Sequence, residues 1–316
     1  MGKHKDKKRN LTADWLLYVG LRVVIVFFSM FSIERNLATA CFLGRMLWKY
    51  YGRGRQRALD NLTASFPDKD SAWHERVGQR SFEQLAMSMI DVLFTPRFVK
   101  TYKWRQIVRF KNIETPKQMM VDGRGLLMVT AHYGNFELLG YLMAAFGLKI
   151  YSIARPLDNR FVNNYLMGVR EHAGQKIIDK KGASDMMEQI ADDGYTLGFI
   201  ADQDAGKKGV FVDFFGRKAS TYKSIGLLAL TYNMPLVVGV TRRVGNSFFF
   251  EADCCRIIMP EEWADKDEPL LWVTQEFSKA LEDGIRKDPT QYWWLHRRWK
   301  TRPKEEIQNA QKVIHN

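Results

Sequence analysis

Leu126–Gly140 reads LLMVTAHYGNFELLG. Leu126 to Thr130 form an apolar run of strand length behind the turn signal Gly123, Arg124, Gly125, which reads as a buried strand. From Phe136 the period changes: Phe136, Leu138, Leu139, Leu142, Met143 and Phe146 recur at helical spacing as far as Gly147, so a helix follows the strand across a tight junction. His132 and Glu137 stand on that junction. In a continuous helix they would point about 140° apart, so they meet only if His132 precedes the helix and Glu137 lies in its first turn. One reading has His132 capping the helix and Glu137 complementing its dipole. The other has the carboxylate fixing the imidazole tautomer so that the second ring nitrogen removes a proton.

The alternation continues downstream. Strands are expected at 149–154, 176–179 and 195–201, with helices at 158–172 and 184–192 between them. This predicts an α/β fold with a mainly parallel or mixed sheet flanked by helices. In such folds functional groups collect where strands end and helices begin. Three junctions carry polar groups: His132 with Glu137, Arg155 with Pro156, and the run Asp202, Gln203, Asp204. Arg170, in the intervening helix, faces either the same cleft or, as most arginines do, solvent.

The chain has 316 residues and a net charge of +13, and the charge is concentrated at its ends. Lys3, Lys5, Lys7, Lys8 and Arg9 form a basic tail, and the block QYWWLHRRWKTRP, residues 291–303, interleaves Trp293, Trp294 and Trp299 with His296, Arg297, Arg298, Lys300 and Arg302. Anionic lipid, a phosphorylated substrate, an acidic carrier protein and nucleic acid all suit that charge. Trp15 to Ile33 contains one charged residue, Arg22, and as a helix would span about 28 Å, close to a bilayer core of roughly 30 Å. An N-terminal membrane-anchoring helix is therefore expected, dividing the chain into a tail and anchor, 1–35, and a catalytic domain, 36–316. A cleaved signal peptide, with Ala38, Thr39, Ala40 as its site, and an interfacial helix with a snorkelling Arg22 are the rival readings. Cys41, Cys254 and Cys255 make neither a disulfide framework nor a metal pattern, and no metal or cofactor is expected.

Helices broken at Pro67 are expected over 53–94, with a further helix capped by Thr115. The stretch 206–220, rich in Val and Phe, reads as an apolar hairpin that covers the core or lines an acyl-chain channel. The chain lacks a Walker A loop, a dinucleotide fingerprint, a zinc-binding HExxH pair and a GxSxG nucleophile elbow, so nucleotide chemistry and covalent serine catalysis lose ground. Direct acyl transfer to a hydroxyl is the economical alternative. A membrane-tethered RNA- or anionic-lipid-binding protein is the reading from another class. The chain shows no RNP1 or KH signature to support nucleic acid as a partner.

AHYGNFELLG, ARPLDN with Arg170 downstream, ADQDAGKKGVFVDFFG and QYWWLHRRWKTRP resemble, in order, the late acyltransferases of lipid A biosynthesis. These are lauroyl and myristoyl transferases of the lysophospholipid acyltransferase superfamily. The resemblance implies a fatty acyl donor on acyl carrier protein or CoA, a glucosamine-based lipid acceptor, and the cytoplasmic face of the bacterial inner membrane. On it, His132 is expected as the base, Glu137 as its orienting carboxylate and Arg170 as oxyanion stabiliser. Arg155, Asp202, Gln203 and Asp204 are expected to shape the acceptor site, with Arg297 and Arg298 binding acceptor phosphates or the acidic carrier. Acylation of another glycolipid or a lysophospholipid fits the same residues.

Overall fold

Parallel pairing dominates the central sheet, because apolar strands here alternate with helices that carry the chain back across its faces. A computed structural model describes residues 10–98, 104–154, 157–171, 174–179, 183–304 and 306. Its seven-stranded sheet contains β1 (Val108–Lys111), β2 (Leu126–Thr130), β3 (Ile150–Ala154), β4 (Lys176–Asp179), β5 (Thr196–Ile200), β8 (Leu236–Arg243) and β9 (Phe250–Ile258) in the order β1-β9-β8-β2-β5-β3-β4. All neighbours pair in parallel except β8 with β9, which are joined by a hairpin. A separate antiparallel ribbon is made of β6 (Val210–Phe214) and β7 (Arg217–Thr221). The α/β expectation holds. β2 lies between β5 and β8, so the carboxyl ends of three parallel strands open into one crevice.

Side chains alternate across β2. Leu127 and Val129 enter the main core with Leu197, Leu236, Val238, Phe277 and Leu281, whereas Leu126 and Met128 enter a smaller cluster with Met143, Ile150 and Val237. The first face is covered by α8 (Ala183–Asp192), α9 (Lys223–Tyr232) and α10 (Pro269–Arg286), the second by α5 (Glu114–Val121) and α6 (Phe136–Ala145). β2 is buried on both faces, which explains its unbroken apolar run. The ribbon β6-β7 covers the core: Phe214, Phe215 and Ala219 are buried in the main core with Trp294 and Trp299, and Val212 is buried as well.

Four helices precede the sheet: α1 (Leu11–Ser29), α2 (Ile33–Tyr50), α3 (Gly52–Ser65) and α4 (Ser71–Phe98). The apolar helix α1 has the expected 19 residues but begins and ends four residues earlier, because Ser32 starts α2 as an N-cap whose hydroxyl accepts from the Arg35 N–H at 3.4 Å, with Glu34 in the first turn. Serine favours that role over a helix interior. Gly44 permits the crossing of α2 over α4, since a Cβ there would sit 2.5 Å from Glu83 Cα. α5 starts at Glu114 and not after a Thr115 cap. β1, too short and polar to be anticipated, is held at the sheet edge by Glu251 of β9, whose carboxylate pairs with Arg109, Lys111 and Arg242. Among the described residues, α7 (Arg160–Glu171) lies between β3 and β4.

Candidate active site

The junction after β2 is shaped by backbone needs before any chemistry. Gly134 has φ +51°, and a Cβ on it would lie 2.0 Å from the Thr241 carbonyl oxygen, so the chain passes β8 at a distance that only glycine allows. The Gly134 N–H donates to Gln291 O and the Asn135 N–H to Thr241 O. Asn135 then caps α6, its side-chain oxygen accepting from the Leu138 N–H at 3.0 Å. The N–H groups of Phe136 and Glu137 are the first-turn donors left without an acceptor among the described residues, at the positive end of the helix dipole.

His132 sits on this junction with its side chain 11% exposed. Its ring Nδ1 lies 2.7 Å from Asp202 Oδ1, and its backbone N–H donates to Asp202 Oδ2 at 3.0 Å. Asp202 follows β5, the neighbour of β2, and its side chain has no exposure to solvent. Burial alone pushes that carboxyl toward protonation, but the charge and hydrogen bonds of His132, with His296 behind, outweigh it and hold the group well below the usual carboxylate range. An ionised carboxylate only accepts, so Nδ1 carries the proton and Nε2 presents its lone pair.

Around the ring stand Phe136, Trp293 and His296, with centroid separations from His132 of 5.1, 5.0 and 4.6 Å. The chain 292–296 is pinned there by the Trp293 N–H, which donates to His132 O at 3.2 Å, and by a bridge between Tyr133 and Tyr292. His296 Nδ1 is 4.0 Å from Asp202 Oδ2, buried and without a hydrogen-bond partner among the described residues. Burial pushes this imidazole down to about 4, so it stays neutral near pH 7. Donor atoms of His132, Asp202 and His296 all lie within 4.8 Å of one another. Each Asp202 oxygen accepts one hydrogen bond from His132, so the cluster is a hydrogen-bonded pair beside a neutral imidazole.

Glu137 opens α6 as expected, but its carboxylate is held by Arg170 of α7, whose Nε donates to Oε2 at 3.0 Å and whose NH2 donates to Oε1. The carboxylate bonded to His132 is therefore that of Asp202, which was expected to shape the acceptor site, while Glu137 is bonded to Arg170. A profile of the family described as bacterial lipid A biosynthesis acyltransferase matches residues 2–301. The chain belongs to that family. The lipid A biosynthesis lauroyltransferase and palmitoleoyltransferase of Escherichia coli K12 are each 25% identical to it over 301 residues, 92% of either chain. The myristoyltransferase of the same strain is 24% identical over 276 residues, 84% of this chain and 81% of that one.

In this member of the lipid A acyltransferase family the other expected site residues fall into three groups. Arg155 lies outside the described residues. Asp204 binds the C-terminal segment, accepting from the Thr301 N–H at 3.2 Å and from its hydroxyl at 2.9 Å. Arg298 is 2% exposed, and its guanidinium donates to the carbonyls of Gln203 and Ser220 and to the Thr221 hydroxyl. It ties the 202–204 loop to the ribbon, which corrects the expectation that it meets a substrate phosphate. Gln203 and Arg297 remain exposed. His296 and Trp293 were visible as part of a basic aromatic block, but nothing in the sequence indicated that they stand beside His132, since the block lies far along the chain.

On the α5 and α6 side of the sheet is a cavity of about 870 Å³, lined by Met128, Leu139, Leu142, Met143, Phe146 and Val237, with Arg105, Arg109 and Lys117 also on its walls. Its volume is within the range of small-molecule sites. His132 stands at the start of α6, whereas the cavity lies along the middle and end of that helix.

Proposed function

We propose that this protein transfers a fatty acyl chain from a thioester, carried by acyl carrier protein or CoA, to a hydroxyl of a glucosamine-based lipid A precursor. The reaction is placed at the cytoplasmic face of the bacterial inner membrane. The observation that carries the reading is the hydrogen bond of 2.7 Å between His132 Nδ1 and the buried Asp202 carboxylate, in a chain whose relatives are lipid A acyltransferases.

Nε2 of His132 removes the acceptor hydroxyl proton as that oxygen attacks the thioester carbonyl, and Asp202 stabilises the imidazolium. The oxyanion of the tetrahedral intermediate is met by the unused N–H groups of Phe136 and Glu137 and by Arg170, which Glu137 holds in place. Collapse breaks the C–S bond, and the leaving thiolate takes the proton back from Nε2, so no acyl-enzyme forms. The acyl tail lies in the apolar cavity beside α6, and Arg297, exposed beside the site, meets acceptor phosphate or the acidic carrier.

The test is mass spectrometry of products from purified protein supplied with acyl carrier protein thioesters and either lipid A precursors or other glycolipids. Acylated precursor with wild type, lost in His132→Ala, supports the reading. Acylation confined to another glycolipid would move the acceptor while leaving the chemistry, and turnover retained by a folded His132→Ala enzyme would overturn the mechanism.

A further inference from the structure

Helix α1 is apolar and, at 19 residues, long enough to cross a membrane. Its contacts argue for a different placement. The less exposed positions are 14, 18, 19, 21, 25, 28 and 29, and all but 19 follow three- and four-residue steps that keep them on one helical face. That face is fastened to the catalytic domain along its length. Asn159, just before α7, donates through Nδ2 to Asp14 O at 2.9 Å. Tyr18 stacks on Phe161 with centroids 6.1 Å apart, and the Arg22 guanidinium lies 5.0 Å from the ring centre of Tyr165. Near the other end, the buried Asn36 of α2 donates to Phe28 O at 2.8 Å, and Phe28 packs with Leu37, Met87 and Phe94. From Asp14 to Phe28 these contacts cover about 21 Å of helix axis.

If α1 crossed the bilayer, that attachment would carry the start of α7 into hydrocarbon, including Arg160 and Asn164, both exposed. Lipid-exposed polar groups at that depth are strongly disfavoured. The opposite face of α1 bears Trp15, Leu16, Val23, Val26 and Phe27, all exposed, and Met30 and Phe31 carry the apolar surface through the turn. α2 continues it. Its inner face is buried against α4, while Phe42, Leu43, Leu47 and Tyr50 are exposed. Arg35, Phe42 and Lys49, seven residues apart, fall on one outer stripe with a cation at each end. Aromatic and aliphatic side chains flanked by cations suit the headgroup boundary of an anionic bilayer.

We infer that α1 and the outer face of α2 form one in-plane platform that seats the catalytic domain on a single surface of an anionic bilayer, with α1 lying in the interface and not spanning it. This deepens the membrane location in the proposed function and is independent of the chemistry at His132. Seated this way, α7 and its Arg170 lie next to the membrane, so a lipid acceptor reaches the site laterally.

The full chain, tagged with different epitopes at its two ends, is tested by protease protection in right-side-out and inverted inner-membrane vesicles. Both tags should be cut in inverted vesicles and both protected in right-side-out ones. Tags cut from opposite sides would show a spanning helix and overturn the inference while leaving the membrane location intact; absence of the protein from membranes would overturn both. In a second measurement, Phe42→Glu with Tyr50→Glu, at exposed positions outside the core, should weaken flotation of the full chain with phosphatidylglycerol-rich vesicles at least about tenfold, at an unchanged melting temperature. Undiminished flotation would remove α2 from the platform and overturn the two-helix inference.

Discussion

Asp202 holds His132 at two points, accepting from the ring at 2.7 Å and from the backbone N–H at 3.0 Å. The second bond locks the junction to β5, and the first sets the tautomer. Asp202→Asn preserves volume but removes the charge that stabilises an imidazolium. It should lower kcat by about 10²- to 10⁴-fold with donor KM little changed, as measured by steady-state acyl transfer on folded protein. Near-normal kcat would return the orienting role to another group.

Glu137 is hydrogen-bonded to Arg170 and not to His132. Glu137→Gln and Arg170→Ala should each slow turnover, and the double variant should lose little more than the worse single one, because the pair works as a unit. Multiplicative losses in a double-mutant cycle would show that the two side chains serve separate roles.

Arg297 and Arg298 are neighbours with different environments. Arg298→Ala strands two backbone carbonyls and a hydroxyl in the interior, which should cost about 3 kcal/mol or more of stability, read by chemical denaturation. Arg297→Ala should leave stability within about 0.5 kcal/mol and raise the KM for donor or acceptor, most at low salt. Equal effects of both on KM alone would contradict the burial of Arg298.

His296 supplies a pH test. Burial first, with the nearby His132 adding to it and Asp202 opposing, lowers its value from 6.5 to about 4. The unfolded chain takes up this proton before the folded one does, so stability falls as pH drops through 6.5 toward 4, by about 3 kcal/mol across that window. His296→Gln cannot titrate and should flatten the acid limb of the melting-temperature profile in that window. A profile parallel to wild type would place the acid sensitivity elsewhere.

The cavity beside α6 predicts chain-length selection. Leu139, partly buried, lines it. Leu139→Trp should shift the transferred chain toward shorter acyl groups in competition assays with mixed donors, analysed by mass spectrometry. An unchanged product distribution would remove the cavity from the donor site.

Elements with a strong local signal were legible without coordinates. The apolar run of β2, the helical period of α6 and the β/α alternation that follows all come from side-chain patterning over short distances. That patterning determined the α/β class, the junction bearing His132 and the presence of an apolar N-terminal helix. β1 escaped because its four residues, VRFK, carry little pattern and depend on Glu251 for their place. The division of α1 from α2 depended on a single capping serine.

Partnership was decided only in three dimensions. His132 and Asp202 are 70 residues apart and meet because β2 and β5 are neighbours in the sheet, an order that no local period encodes. Five residues separate His132 from Glu137, yet the cap at Asn135 and the turn at Gly134 send Glu137 to Arg170 instead. The terminal block divides in the same way, with one arginine buried on backbone carbonyls and the next left in water. Sequence determined which chemical groups the strand ends carry; strand order and burial decided which groups touch, because hydrogen bonds are made between neighbours in space and their strength depends on the exclusion of water.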